Sequence, residues 1–192
     1  MRLRPKTWCP SISSVRNPPE RGTPPRSSPP ILPDVLAPNL RIVFCGSAAG
    51  RVSALRGVYY GGPGNRFWPT LAETGLTPRP LAPEEFLRVT EFGLGLTDLC
   101  KAASGGDAEL PSGADDPAAL RAKILRFRPK ILAFVGKRPA RVFLNRVPEY
   151  GAQAEAIAAT RLYVLPSPSG AARRYWDIAW WRRLAGIVRE EA

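Results

Sequence analysis

The sequence predicts an α/β fold with a largely parallel central sheet and helices on both of its sides. Three short apolar runs carry this prediction, at residues 40–45, 130–136 and 161–165. Continuous runs of β-branched, leucine and aromatic residues are typical of strands that are covered on both faces. Segments with helical spacing of apolar residues separate the runs, and strands that alternate with helices favour parallel pairing.

Six helices are predicted from starting residues, stopping residues and apolar spacing. They are expected at 52–55, from Phe67 to a stop at Gly75, from Pro83, from Asp115 or Asp116 with Pro117 in the first turn, at 139–145 and at 173–189. In the third of these helices, Phe86 and Leu87 are expected to face the core. In the last helix, one buried stripe is expected, formed by Trp176, Trp180, Leu184 and Ile187.

The composition predicts one folded domain preceded by a disordered arm. Of the 192 residues, 44% are apolar, which suffices for one ordinary core. Residues 1–30 are basic and rich in proline and serine, so we expect this arm to be disordered, either tracking along DNA or without a role. Residues 31–192 then form the domain. The net charge of +12 predicts a polyanionic partner, either nucleic acid or an anionic membrane surface.

The histidine and cysteine contents exclude several kinds of site. The chain has no histidine, which excludes Ser-His-Asp and Cys-His catalysis and the common zinc sites. The three cysteines are odd in number and widely spaced, which favours a reducing cytoplasm over a disulfide framework. No apolar run approaches the ~20 residues of a membrane span, and the N-terminus lacks the apolar segment of a secretory signal.

Three loops are expected to meet at one edge of the sheet, because the carboxyl ends of parallel strands lie together and ligands bind there. They are the small-residue loop 46–50, the segment that ends at Asp98, and the loop 166–170. The glycine-rich loop 57–65 follows the first of them closely and contributes Tyr60. This edge is the predicted functional site.

Five motifs occur along the chain in a specific order: GSAAG at 46–50, Tyr60 with GNRFW, GLGLTDL, FVGK and LPSPSG. Over roughly residues 35–190, this order resembles the mismatch-specific uracil/thymine DNA glycosylases of the uracil-DNA glycosylase superfamily. The resemblance implies a three-layer α/β/α sandwich with a short, mainly parallel central sheet. It also implies an enzyme that flips a deaminated base, most commonly uracil, out of DNA and hydrolyses its N-glycosidic bond.

The site residues that the resemblance implies fall into two groups. The substrate-binding positions are Ser47, Ala48, Tyr60, Asn65 and Ser167. Among them, Tyr60 is expected to stack on the flipped base, with a core aromatic as the alternative. The DNA-binding positions are Gly170, Ala171 and Arg173, with Ala171 as the wedge and Arg173 filling the gap or meeting phosphate. Basic residues near the loop ends are expected to contact phosphates: Arg51, Arg56, Arg66, Lys137, Arg138, Arg173 and Arg174.

Two positions depart from the family pattern. Ala48 stands where the family commonly has the Asn that holds the attacking water, and Ser167 replaces the usual first Asn of the last motif. Because an alanine methyl cannot hydrogen-bond water, we predict that Asp98 is the catalytic carboxylate. It would stabilise the oxocarbenium-like transition state and orient or deprotonate water. A helix cap or a surface ion pair is the alternative for Asp98, and Asp34 is the second candidate carboxylate.

Three functions are compatible with the sequence. A monofunctional glycosylase is the first, acting as a cytoplasmic, nucleoid-associated monomer on DNA that contains uracil or a mismatched base. This enzyme is expected to work without a metal or a cofactor and without binding to a membrane. A catalytically weak DNA-binding or base-sensing homologue is the second. A nucleotide-binding α/β enzyme is the third and weakest, because neither GxGxxG nor GxxxxGK[ST] occurs.

Overall fold

A computed structural model describes residues 29–190, and within them five strands form one sheet in the order β2-β1-β3-β5-β4. The strands are β1 Ile42–Gly46, β2 Leu94–Asp98, β3 Ile131–Val135, β4 Gly151–Ile157 and β5 Thr160–Leu165. The first four strands in this order run parallel to one another. The edge strand β4 pairs antiparallel with β5. The predicted, largely parallel sheet is confirmed. Nearly all of the predicted arm lies outside the described residues.

Helices cover both faces of the sheet within the described range. The α-helices are α1 Arg51–Arg56, α2 Phe67–Glu73, α3 Pro117–Phe127, α4 Lys137–Leu144 and α5 Ala179–Glu190, and 3₁₀ helices occur at Pro83–Phe92 and Gly170–Tyr175. The predicted start of α3 is confirmed, because the Asp116 carboxylate accepts a hydrogen bond from Ala119 N at 2.8 Å. None of these helices is long and apolar enough to span a membrane.

Alternating side chains of β1 supply two separate hydrophobic layers. Phe44 packs with α2 and α5, where Phe67 and Trp181 are both fully buried. Val43 and Cys45 face the other side, where they pack with α3 and α4. Successive side chains of a strand point to opposite faces, so a run without polar residues is buried on both. The predicted three-layer α/β/α sandwich is confirmed.

Two predicted helix faces are wrong. Residues 83–92 form a 3₁₀ helix, with about three residues per turn, so Phe86 and Val89 share the buried face. Leu87 is therefore 60% exposed, contrary to the prediction.

The last helix also begins later than predicted. The Asp177 carboxylate accepts a hydrogen bond from Ala179 N at 2.8 Å, so α5 begins at Ala179, and Trp176 lies outside it. Residues 170–175 form a separate 3₁₀ helix. Trp181, rather than Trp180, is fully buried. The buried side chains of α5 are Trp181, Leu184, Ala185 and Val188.

Candidate active site

The ends of β1 and β2 lie side by side at the carboxyl edge of the sheet, with Gly46 and Asp98 as register partners. Backbone hydrogen bonds then join the chain segments that follow the two strands. Leu99 N donates to Gly46 O at 2.9 Å, and Cys100 N donates to Ser47 O at 2.8 Å. The 46–50 loop is thus fixed against the segment after Asp98, as the sequence predicts.

The absence of a side chain at Gly46 makes room for two polar groups. A β-carbon at this position would lie 2.5 Å from Asp98 Oδ1 and 3.5 Å from the Tyr60 hydroxyl oxygen. The first distance is too short for any real β-carbon, so only glycine allows the carboxylate to occupy this place. The predicted catalytic residue, Asp98, and the predicted substrate-binding residue, Tyr60, therefore both lie next to the α-carbon of Gly46.

The Asp98 side chain is buried, with 5% of the residue exposed. Burial raises the pKa of this carboxyl to about 6, and the positive charge of Lys101 opposes the increase. The group is therefore mainly a carboxylate at neutral pH, with a proton affinity higher than that of an ordinary aspartate. A carboxylate with these properties can stabilise a developing positive charge and accept a proton from water.

The second candidate carboxylate, Asp34, is engaged in ion pairs. Its Oδ1 lies 2.9 Å from Lys101 Nζ, and its Oδ2 lies 2.6 Å from Lys123 Nζ. The Thr97 hydroxyl donates a third contact to Oδ1, at 2.7 Å. Although burial alone would raise the pKa of Asp34, the hydrogen bonds from Lys123 and Lys101 hold it below the ordinary value. An ion pair was one of the alternative roles considered for Asp98, and it is Asp34 that forms such pairs.

Tyr60 combines an uncommon backbone conformation with an unpartnered hydroxyl. Its φ of 52° lies in the left-handed region, which a bulky residue rarely adopts. The ring stacks on Phe67 with a centroid distance of 3.8 Å. The hydroxyl oxygen is buried, and no hydrogen-bond partner for it occurs within residues 29–190. Burial, followed by the charge of Asp98, raises the pKa of Tyr60, so its hydroxyl keeps its proton.

The other predicted substrate-binding residues divide by location. Ser47 and Ala48 are partly exposed and directly follow Gly46, so they lie at the site. Asn65 instead accepts a hydrogen bond from Phe67 N at 3.0 Å, which supports the start of α2. Ser167 accepts a weak hydrogen bond from Ser169 N at 3.3 Å, within its own turn. The Asn65 and Ser167 side-chain oxygens thus support local backbone.

The 166–170 loop packs against the 57–65 loop, which completes the predicted convergence. Arg66 N donates to Pro168 O at 3.0 Å. Gly170 approaches the same loop so closely that a β-carbon there would lie 3.1 Å from Pro63 O. The 3₁₀ helix 170–175 begins at this contact. Its predicted wedge, Ala171, is exposed.

Most of the predicted phosphate-binding residues make intramolecular ion pairs. The pairs are Arg51–Glu109, Arg56–Glu84, Lys137–Glu149 and Arg138–Asp115. Arg66 lies over the Trp176 ring. Arg173 and Arg174 are exposed and have no acidic partner in the part of the chain that the structure describes. Arg173 also lies beside the site loops, because a β-carbon at Gly64 would be 3.0 Å from its Nη2.

Two surface cavities lie at different parts of the described chain. One of about 570 Å³ is lined in part by the 57–65 loop, including Tyr60 and Asn65. A larger cavity, of about 690 Å³, lies at the opposite edge of the sheet, between the end of α3 and the β4–β5 turn. Neither lining includes Asp98, whose small exposed fraction places it below the surface.

Sequence reasoning missed two residues that lie beside the two selected ones. Tyr59 is 2% exposed, its ring centroid lies 6.0 Å from that of Tyr60, and Lys101 Nζ donates to the Tyr59 hydroxyl at 2.9 Å. Their positions beside the two selected residues were the available signal, since Tyr59 precedes Tyr60 and Lys101 lies three residues after Asp98. Their contact depends on a loop conformation that apolar periodicity does not predict.

Comparison with solved structures identifies the fold. A solution NMR structure of a protein from Methanosarcina acetivorans, described as a candidate uracil DNA glycosylase, matches with a TM-score of 0.59 and 24% sequence identity. The match covers 83% of this chain and 95% of that chain. The fold is therefore that of a uracil DNA glycosylase-like α/β domain.

The family comparison is more specific. The model of the uracil DNA glycosylase superfamily matches residues 33–185. The chain therefore belongs to the uracil DNA glycosylase superfamily. Membership implies a glycosylase, which is a hydrolase, with DNA as its partner.

Proposed function

We propose that this protein is a monofunctional DNA glycosylase that removes uracil from DNA, with Asp98 as its catalytic carboxylate. The observation that carries the proposal is the position of Asp98 Oδ1 over Gly46, beside the unpartnered Tyr60 hydroxyl. The order of the motifs favours the mismatch-specific uracil/thymine branch of the superfamily. We further propose that the enzyme acts as a monomer on chromosomal DNA in the cytoplasm.

The reaction would proceed by hydrolysis at the sugar carbon that bears the base. The bond from C1′ to the base nitrogen breaks, and its electron pair leaves with the base. Positive charge then develops on the sugar, where the Asp98 carboxylate stabilises it. Water adds to C1′ and transfers a proton to Asp98. This proton then passes to the departed base anion, directly or through solvent, so the products are the neutral free base and an abasic site, and Asp98 is a carboxylate again. Ala48 cannot hold this water, so the carboxylate takes over that task.

Tyr60 would form one wall of the base pocket. The contact with Phe67 covers one face of the ring, so a flipped base can stack only on the opposite face. The Tyr60 hydroxyl lacks a partner within the described residues, and it lies next to the Asp98 carboxylate over Gly46. A buried polar group without a partner is costly, and a water molecule or a polar atom of the base would satisfy it.

The DNA itself would bind across the 166–175 segment. Ala171 is exposed at the tip of this segment and is small enough to approach the vacated base stack. Arg173 and Arg174 lie two and three residues further on, where they can meet phosphates on either side of the flipped nucleotide. Binding would therefore weaken steeply with salt, because phosphate contacts release counterions.

A catalytically weak homologue that binds DNA is the second candidate. The observation in its favour is Ala48, because the water-binding amide of the family pattern is missing there. Both candidates predict DNA binding, so only a measurement of base release separates them.

Base release can be measured directly on labelled oligonucleotides with the full chain. Single strands and duplexes containing U, T·G, hypoxanthine or xanthine are incubated with protein and then treated with alkali, which cleaves abasic sites. Cleavage at U that requires the alkali step supports a monofunctional uracil glycosylase. An undamaged duplex of the same sequence is the control. If no substrate is cleaved while DNA affinity is retained, the enzyme proposal fails and the second candidate holds.

A further inference from the structure

We propose that Tyr60 is a second catalytic residue, whose hydroxyl holds the attacking water together with the Asp98 carboxylate. The inference rests on the proposed function and deepens it, because it names the group that supplies the water contact missing at Ala48. Three observations carry it: an opening over Gly46, a hydroxyl at this opening without a partner, and the fixed position of the Tyr60 ring.

The opening over Gly46 is bounded by two oxygen atoms. From the place that a β-carbon of Gly46 would take, Asp98 Oδ1 lies at 2.5 Å and the Tyr60 hydroxyl oxygen at 3.5 Å. Apart from the residues on either side of Gly46, the next described heavy atom is the Asp98 carboxyl carbon, at 3.8 Å. Both oxygens therefore border one opening, and a single water molecule can bridge them with hydrogen bonds of about 2.8–3.0 Å.

The Tyr60 hydroxyl needs a partner that the surrounding protein does not supply. Its oxygen is buried, and no group within residues 29–190 hydrogen-bonds it. A phenylalanine here would stack on Phe67 equally well and would bury no hydroxyl, so packing alone does not account for a tyrosine. Burial raises the pKa of this hydroxyl, so it keeps its proton and can donate. A water molecule over Gly46 satisfies that donor.

The flipped base is poorly placed to be this partner. The Tyr60 ring stacks on Phe67 with 3.8 Å between centroids and 19° between planes, so the opposite face is left for the base. The hydrogen of a phenol lies in the plane of its ring, whereas a stacked base lies in a parallel plane above it. A hydrogen bond from the hydroxyl to that base would be strongly bent, but a water molecule near the ring plane can accept a straight one.

The ring that carries the hydroxyl is held in one position. Phe67, on which it stacks, is fully buried, and the Tyr59 ring lies on another side with a centroid distance of 6.0 Å. The Tyr60 φ of 52° is unfavourable for a bulky residue, and such a conformation persists only where the surroundings determine it. The hydroxyl is therefore fixed relative to Gly46, as a group that orients a reacting water must be.

Each part of the water molecule then has one task. The Tyr60 hydroxyl donates its hydrogen to one lone pair of the water oxygen, and the water donates one hydrogen to Asp98 Oδ1. The second lone pair forms the bond to C1′ as the bond from C1′ to the base breaks, and that electron pair leaves with the base. Asp98 accepts the water proton and passes it to the base anion, directly or through solvent, while Tyr60 keeps its own proton.

One variant and a matched control test this proposal. Tyr60→Phe removes the hydroxyl but retains the ring that stacks on Phe67. Tyr163→Phe makes the same change at a buried tyrosine of β5, two strands away from β1, whose hydroxyl donates to Trp180 O at 3.4 Å. Single-turnover release of uracil, and of every other base that the unmodified chain removes, is measured at saturating protein, together with DNA affinity and thermal unfolding.

Tyr60→Phe is expected to release every base at least about tenfold more slowly, because one hydrogen bond to the reacting water is lost. The factor should be the same for each base, since the water is common to all of them. DNA affinity should be retained, and the melting temperature should not fall, because the hydroxyl has no partner within residues 29–190. Tyr163→Phe should keep the full rate. Release by Tyr60→Phe within about twofold of the unmodified rate, or a loss confined to one base, would overturn the proposal.

The water site can also be tested if the unmodified chain releases no base. A crystal structure of the free protein that shows ordered waters is then compared with one of Tyr60→Phe. A water within about 2.5–3.0 Å of both the hydroxyl oxygen and Asp98 Oδ1, and absent from the variant, supports the site although the proposed function has failed. A water that keeps its place in the variant, an opening without water, or a hydroxyl bonded to a protein group contradicts the site itself, whatever the activity.

Discussion

The Asp98 carboxylate lies directly over the backbone of its register partner Gly46, so close that a β-carbon there would be 2.5 Å from Oδ1. Two parallel strands ending at the same level produce this relationship. It connects the small-residue loop after β1 with the acidic residue at the end of β2. The 46–50 loop, which lacks the Asn of the family pattern, thereby serves to accommodate a carboxylate from the next strand.

A single methyl group at Gly46 should therefore disable the site. Gly46→Ala is expected to displace the short, buried Asp98 side chain and lower single-turnover base release by about 100-fold or more, since loss of a positioned acid–base group costs at least that much. Gly50→Ala is the matched control, because a β-carbon there meets no atom within 4 Å. DNA affinity should be retained in both variants. Equal rates in Gly46→Ala and Gly50→Ala would contradict the predicted geometry.

The rate of base release should depend on the ionisation of Asp98. Burial raises the pKa of this group to about 6. Because the active form is the carboxylate, the single-turnover rate should fall about tenfold for each pH unit below that value and level off above it. A rate profile from pH 4.5 to 8.5, at saturating protein, checks this expectation. A rate that stays constant down to pH 5 would assign the base to another group.

Removing the charge of Asp98 should stabilise the fold at neutral and higher pH. The pKa of Asp98 is about 6 in the folded protein, against an ordinary value of 3.8. The folded state thus binds the proton more tightly, so stability falls as pH rises from about 4 to about 6 and stays reduced above that range. Asp98→Asn should therefore increase the free energy of unfolding by about 3 kcal/mol at pH 8 and by much less at pH 4.

Urea denaturation of both proteins at the two pH values measures this difference. Asp116→Asn is a useful control, because Asn caps a helix as well as Asp does, so this exposed N-cap should show little change in stability at either pH. An increase for Asp98→Asn that is equal at pH 4 and pH 8 would contradict the electrostatic explanation.

Much of this fold could be predicted from the sequence, and the failures have identifiable causes. The apolar runs predicted β1, β3 and β5, because burial on both faces leaves a signal in composition. The edge strand β4 was missed because its segment, GAQAEAI, is mostly exposed and contains few β-branched residues. Leu87 was misplaced because three residues per turn, rather than 3.6, define the buried face of the 83–92 helix.

Members of the candidate site could be predicted where they belong to a sequence motif. They could not be predicted where only a three-dimensional contact brings them to the site. Asp98 and Tyr60 were selected from their loops, and the structure brings them together at Gly46. Tyr59 and Lys101 have no motif of their own, and their contact requires the three-dimensional path of the 57–65 loop. Charge alone also gives no sign of the intramolecular ion pairs of the predicted phosphate-binding residues, because pairs between distant segments cannot be read from composition.

The exposed arginines after the 166–170 loop should account for part of the DNA affinity. Arg173→Ala and Arg174→Ala are each expected to weaken duplex binding and to reduce the slope of log Kd against log salt by about 0.9, the value for one lost phosphate contact. Arg126→Ala removes the same charge from the end of α3, at the opposite edge of the sheet, and serves as the control. If all three variants behave alike, the effect reflects net charge rather than a binding face.

The role of Asp98 is tested most directly by single-turnover release of uracil from one duplex by the unmodified chain and by Asp98→Asn. Both proteins are used at concentrations that saturate the DNA, and binding is measured in parallel. We expect the Asn variant to bind with unchanged affinity and to release uracil about 1,000-fold more slowly, since it retains the shape of the side chain but not the charge or the basicity. A variant that releases uracil within about tenfold of the unmodified rate would contradict catalysis by Asp98.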